Sequence, residues 1–288
     1  MGLREWVEAQ THHPLGYVEQ LYTFADRDRA NAEGARVISV SYLGLTREAD
    51  AGVGSATMAV QAARTTEPPD DELLSVQASW QDWYRYFPWE DWRAGAPAIL
   101  ASHIEPALRE WAKQGKPGEL AERRWGRASL AFGWGEWQWN EDLVLQRYEL
   151  LYEAGLMPET AGKGRYWPDV LDKLDWRGAP MAHDHRRILA TAMARLRAKI
   201  KYRPVVFELM PPAFTLLQLQ QTVEALAGRV LHKQNFRRLM EQQDLVEETG
   251  ELTHAGAGRP AKLFRFRRDV LLERAISGSK LPLARGPK

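Results

Sequence analysis

The chain has no cysteine, which excludes disulfides and thiolate metal sites. No apolar run is long enough to cross a bilayer and no signal-peptide pattern opens the sequence. A cytoplasmic location is therefore expected, and a membrane partner is not. Internal repeats and low-complexity tracts are missing too, which argues against repeat-array architectures. Net charge is nearly absent: 39 basic residues against 38 acidic leave +1. That balance conceals an asymmetry. From Arg203 onward there are 14 basic and 9 acidic residues, whereas the first 202 residues carry 25 basic and 29 acidic. Tryptophan is absent from the later part, all 12 lying before residue 203. Such a split in charge and composition suggests two units with different partners.

What is present suits a folded protein of that kind. With 288 residues, 44% hydrophobic and 27% charged, the chain can hold two domains and a sizeable core. LREWVEAQ (3–10) reads as the end of a helix. GYVEQLYTFAD (16–26) and ARVISVSYLGL (35–45) are rich in β-branched and aromatic residues and read as strands joined by a polar loop. Tyr22 and Phe24 could stack on an adenine ring or bury in the sheet. AGVGSATMAV (51–60) is ambiguous, and ARTTEPPDDELLS (63–75) reads as a loop because no helix interior tolerates its two adjacent prolines.

The middle is dense in aromatics. WQDWYRYFPWEDWRAG (80–95) reads as an amphipathic helical insertion with buried rings, the rival being an aromatic surface for a nucleobase or a partner. PAILASHIEPALREWAKQ (97–114) is expected to be helical and RRWGRASLAFG (123–133) to contain a short strand. EDLVLQRYELLYEAGLM (141–157) carries Leu143, Leu145, Tyr148, Leu151 and Tyr152 at helical spacing, ended by Gly155. HDHRRILATAMARLRAKIKY (183–202) is a further helix with Ile188, Met193, Leu196 and Ile200 near one stripe. His183 and His185 stand two apart and do not share a helix face, so this motif reads as a helix start rather than a metal pair.

FTLLQLQQTVEALAG (214–228) and HKQNFRRLMEQQDLVEE (232–248) look like two short helices around a tight turn. Thr215 stands at an N-cap position, Leu216, Leu219, Val223 and Leu226 form one face, and Gly228 ends the first helix. In the second helix Phe236, Leu239 and Met240 form the buried stripe. Lys233, Gln234, Asn235, Arg237 and Arg238 are left to face outward. This is the division a helix-turn-helix needs, with guanidinium and amide groups offered to a major groove and the remaining cations to phosphates. LVEETG (245–250) reads as a strand, ELTHAGAGRPA (251–261) as a polar loop, and KLFRFRR (262–268) alternates with period two. Helix, turn, helix and hairpin follow the winged-helix order. Arg259 could reach a minor groove, although a basic wing residue more often meets a phosphate. A winged helix that binds protein instead of nucleic acid is the rival for this segment.

The segments FELMPPAFTLLQLQQTVEALAG, NFRRLM, TGE and GRPAKLFRF resemble the C-terminal winged helix of Nudix-related transcriptional regulators of NAD metabolism. REWVEAQT, GYVEQLYTF and RVISVSYL resemble the Nudix-derived half of those regulators. The Trp-rich middle, with DWYRYFPWEDWR and RYELLYEAGL, is similar to that of the alphaproteobacterial repressors of NAD-synthesis genes within the same family. The resemblance implies an effector-binding module followed by a DNA-binding module, working as a homodimer on a palindromic double-stranded operator. The implied effector is ADP-ribose, ATP, NAD or a related adenine nucleotide.

Two departures stand out against the Nudix pattern. The catalytic helix of that fold ends in Arg-Glu, an apolar residue, any residue, then Glu-Glu. Here the stretch is Arg4, Glu5, Trp6, Val7, Glu8 and Ala9, so one of the carboxylates that would hold Mg²⁺ on a diphosphate is missing. The strands and glycine-rich loop that precede that helix are also absent, so either the natural start lies upstream of Met1 or this half is incomplete.

The expected fold class is thus α+β. Residues 1–202 would form a degenerate, N-terminally incomplete Nudix-like effector domain with a helical Trp-rich insertion. Residues 203–277 would form a winged helix-turn-helix, and residues 278–288 a disordered tail. The expected function is non-catalytic transcriptional repression of NAD-synthesis genes without a cofactor or a metal. DNA contacts would come from Thr215, Lys233, Gln234, Asn235, Arg237, Arg238, Arg259 and Lys262, and effector contacts from Glu5, Glu8, Tyr22 and Phe24. The alternative is a Nudix-type hydrolase of ADP-ribose-like substrates with an accessory winged helix.

Overall fold

A computed structural model describes residues 2–11, 15–24, 38–47, 60–64, 80–114, 118–161, 176–202, 205–253 and 260–267. Arg259 and the tail from residue 278 lie outside the described residues. The described residues mix helix and sheet, as an α+β chain does. They fall into two compact units that do not follow the 202/203 boundary. One groups the described parts of Met1–Tyr17, Leu45–Ala56 and Leu196–Lys288; the other, those of Val18–Gly44 and Thr57–Arg195. Among the described residues no helix is long and apolar enough to cross a membrane.

The second unit contains an antiparallel sheet of three strands in the order β1 (Val18–Phe24), β2 (Ser39–Gly44), β3 (Val60–Arg64). Along β2 the side chains alternate, Ser39, Ser41 and Leu43 being buried, the period-two signature of a half-covered strand. A bulge between Gln20 and Tyr22 shifts the pairing on β1. One extra residue in a strand re-aims its neighbours. Leu21 is buried and Tyr22 exposed, with the Arg195 guanidinium 5.4 Å from its ring. Burial in the sheet is therefore corrected for Tyr22.

The Trp-rich stretch is not one amphipathic helix. It forms two short 3-10 turns, Trp83–Arg85 and Pro88–Glu90. Pro88 has no amide hydrogen and holds Phe87 out of the helical region, at φ −134° and ψ 67°. The rings bury as expected: Trp83, Tyr84, Phe87 and Trp89 lie in the core. Beyond it, a π-helical turn (Leu100–Ile104) runs into α2 (Glu105–Lys113). Pro106 explains the local widening, since it can supply no amide to the carbonyl four residues back.

α3 (Glu119–Phe132) replaces the strand expected in 123–133. Ala128, Ala131 and Phe132 face inward at helical spacing, and Gly133 ends the helix at φ 72°. A Cβ at Gly133 would stand 2.3 Å from the Trp139 amide nitrogen, so only glycine lets the chain turn there. α4 (Val144–Glu153) buries Val144, Arg147, Tyr148, Leu150 and Leu151, while Tyr152 stays exposed. Burial pushes the Tyr148 phenol well above its ordinary range. α5 (His185–Tyr202) buries Ile188, Met193, Leu196 and Ile200 as the stripe required.

Two ion pairs hold this unit from inside. Arg147 and Glu90 are completely buried and meet as a bidentate pair at 2.5 and 2.9 Å. The Arg147 guanidinium also donates to the Ala131 and Asn140 carbonyls and lies 3.8 Å from the Trp139 ring centroid. Arg186 donates to Glu159 at 3.3 Å and to the carbonyls of Tyr86 and Arg177. Buried charges persist only when paired and hydrogen-bonded, as these are.

Candidate nucleic-acid interface

The first unit carries the helix-turn-helix. α6 (Leu216–Ala227) opens on a capping box: the Thr215 hydroxyl accepts from the Gln218 amide, and the Gln218 side chain accepts from the Thr215 amide. Leu219, Val223 and Leu226 are buried. Gly228 ends the helix at φ 73°. The turn to α7 (Lys233–Gln242) is pinned by side chains. Glu224 accepts from the Leu231 amide at 2.7 Å and from Gln220, which also donates to the Leu231 carbonyl at 2.9 Å. Gln220 and Glu224 were not singled out in the sequence. Their i,i+4 spacing just before the helix-ending glycine was the available signal.

α7 divides its faces sharply. Phe236 and Met240 are buried, while Lys233, Gln234, Asn235, Arg237 and Arg238 are exposed. Lys233, Arg237 and Arg238 form no ion pair among the described residues. Three cations within two helical turns, none of them in an ion pair among the described residues, make a concentrated positive strip. The two amide side chains beside them add donors and acceptors on the same helix.

The hairpin behaves differently. β4 (Val246–Thr253) and β5 (Ala261–Phe266) pair antiparallel with an irregularity between Glu248 and Leu252. β4 extends to Thr253 and β5 begins at Ala261, so the ladder takes in both ends of the expected loop 251–261. β5 is anchored by reciprocal hydrogen bonds between Phe214 and Phe264 at 2.8 and 2.9 Å, and by Phe266 against Phe207 and Phe214. Every cation described on the hairpin meets a carboxylate: Lys262 meets Glu248 at 2.8 Å, Arg265 meets Glu247 at 2.7 Å, and Arg267 meets Asp244.

Of the remaining candidates, Thr215 uses its hydroxyl in the cap. Glu5 and Glu8 lie exposed on α1 (Leu3–Thr11), where Glu5 accepts from the Gly2 amide and Glu8 from the Leu15 amide. Tyr22 and Phe24 belong to the other unit, and the Phe24 side chain lies outside the described residues. His183 and His185 face each other edge-on at 6.0 Å, and among the described residues no three His, Asp or Glu side chains are placed to hold a metal.

An exposed basic helix seated on a capped partner helix, with a hairpin behind it, is the geometry of a winged helix. Residues 206–266 match the NrtR DNA-binding winged helix domain family. The matched span opens before α6 and closes at the end of β5, so it contains α6, α7, β4 and β5. A curated relative, the ADPR responsive transcriptional repressor NtrR of Acinetobacter baylyi, is 45% identical over 86 residues. The match covers 30% of this chain and 34% of that protein, so the chain spans about a third of that relative's length. Two solved structures of Shewanella oneidensis NrtR are also similar. One is of the protein complexed with a 27mer DNA: 19% identity, 93% of this chain, 72% of that chain and a TM-score of 0.40. The other gives 20%, 96%, 74% and 0.42.

Proposed function

We propose that the chain is a DNA-binding transcriptional repressor of NAD-synthesis genes, with a Nudix-like, non-catalytic part that senses an adenine nucleotide. The observation that carries this reading is the unpaired cationic strip of α7 inside a segment that matches a DNA-binding winged helix family. Arg237 and Arg238 can fork onto guanine edges, Gln234 and Asn235 suit adenine, and Lys233 suits a phosphate. ADP-ribose is the first effector to test, because a relative is named for responding to it; ATP and NAD follow. Tyr22, exposed on β1 with the Arg195 guanidinium 5.4 Å from its ring, is one effector candidate; Glu5, Glu8 and Phe24 are others, each to be tested by itself.

Catalysis is not assigned. Glu5 and Glu8 are occupied by backbone amides, and Ala9 supplies no third carboxylate. The regulator works by linkage: a nucleotide that prefers one arrangement of a homodimer shifts operator affinity by that preference and no more. Two copies would present two α7 helices to half-sites about one helical turn apart.

Fluorescence anisotropy on a duplex from a NAD-synthesis promoter, against a scrambled duplex, tests this. The expected result is sequence-preferring, salt-sensitive binding that ADP-ribose shifts. Equal weak binding to both duplexes would reduce α7 to a generic basic surface. Mg²⁺-dependent release of AMP from ADP-ribose would restore the hydrolase reading.

A further inference from the structure

The two basic elements of the winged helix are not equivalent. α7 holds three basic residues and one acidic; residues 244–267 hold four of each. The hairpin's described cations are all engaged: Lys262 donates to both Glu248 oxygens at 2.8 and 2.9 Å, Arg265 Nε donates to Glu247 at 2.7 Å, and Arg267 donates to Asp244. These groups are solvent-exposed, with Lys262 and Arg265 about three-fifths exposed. Exposed pairs are individually weak, so a phosphate could draw either cation away. The carboxylate would then stay behind, facing the same phosphate backbone and repelling it.

Resting on the regulator reading, we infer that Glu247 and Glu248 act as an electrostatic brake on DNA binding. They cancel the phosphate attraction of Arg265 and Lys262 and leave α7 as the main source of counterion release. The hairpin body positions α7 and supplies latent charge that becomes active once the two carboxylates are neutralised. An NrtR-type wing in this chain is thus tuned below the affinity its cations would give. Because phosphate attraction is independent of sequence, the tuning lowers non-specific binding without touching base readout on α7.

Affinity of the full-length chain for a mixed-sequence duplex of about 30 base pairs, three helical turns, measured across salt concentrations, tests the brake. Glu247→Gln with Glu248→Gln is expected to tighten binding, by up to about 8-fold per freed cation at 0.1 M salt, and to steepen the log–log salt slope by roughly 0.9 for each. Deleting whole pairs, as Glu248→Gln with Lys262→Gln and Glu247→Gln with Arg265→Gln, is expected to leave affinity and slope unchanged. If pair deletion weakens binding, the cations already touch phosphate and the brake is overturned. If none of these variants changes the slope, the hairpin lies away from the duplex and the brake is overturned in another way. Wild-type protein that binds no duplex sinks the regulator reading, and this inference with it. A wild type whose binding Arg237→Ala with Arg238→Ala abolishes keeps that reading, whatever the hairpin variants do. Circular dichroism of each variant checks that the exposed substitutions leave the fold intact.

Discussion

Arginine does opposite things in the two units. Arg147 and Arg186 have no solvent exposure and are surrounded by carboxylates, carbonyls and aromatic rings. Arg237 and Arg238 stand in solvent on α7 without an ion pair among the described residues. An arginine buried with its charge paired holds structure and is out of reach of a ligand. One left free spends no interaction on the fold and is available to a polyanion. The Trp-rich unit therefore uses charge to fix its core, and the winged helix displays charge for use.

The same substitution made in both places is the sharpest way to break this contrast. Arg147→Met leaves Glu90 buried without its partner and is expected to cost about 3–5 kcal/mol of stability, read by denaturant unfolding. A loss under about 1 kcal/mol would mean that water relieves Glu90 and that the pair is not structural. Arg237→Met is expected to change stability by no more than about 0.5 kcal/mol and to weaken operator binding by roughly 1–3 kcal/mol, read by anisotropy. An unchanged affinity would remove Arg237 from the interface. Thr215→Ala should lose about 1 kcal/mol of stability through the cap. A loss of operator affinity at unchanged stability would instead place its hydroxyl on the DNA.

The smallest expected effect is at the surface pair of Arg127 with Glu153, at 2.5 Å and about half exposed. The hydrogen bond from Arg127 holds the Glu153 carboxyl below its ordinary range. A depressed carboxylate stabilises the fold above its unfolded pKa, and that contribution fades as pH falls through the folded value. Arg127→Ala should therefore cost at most about 1 kcal/mol at neutral pH and nothing in acid. An equal loss at both pH values would assign the effect to packing of the arginine stem.

Periodicity made much of this legible. The capped α6, the inward stripe of α7, the helix α5 and the strand pair β1–β2 could all be read from spacing and end signals, because those signals are local. The sequence misled where local composition and long-range contact disagree. A short strand is expected in RRWGRASLAFG, yet Ala128, Ala131 and Phe132 form a helical stripe against the core. The stretch 80–95 looked helical, yet Pro88 breaks it into short turns. Tyr22 could be read as stacking or buried, and a bulge turned it outward.

Among the DNA-contact candidates, the sequence by itself determined which side of α7 faces outward. A 3.6-residue period sends Phe236 and Met240 inward and leaves the cations outside, whatever else the chain does. Which cations are free was decided only by the tertiary structure. Lys262 stood beside Arg237 among the candidates, yet its carboxylate partner lies 14 residues away, and that of the neighbouring Arg265 lies 18 away. The antiparallel pairing of β4 with β5 brings Glu248 and Glu247 within reach of them. Charge state along a chain is local, but charge pairing is set by which strands meet.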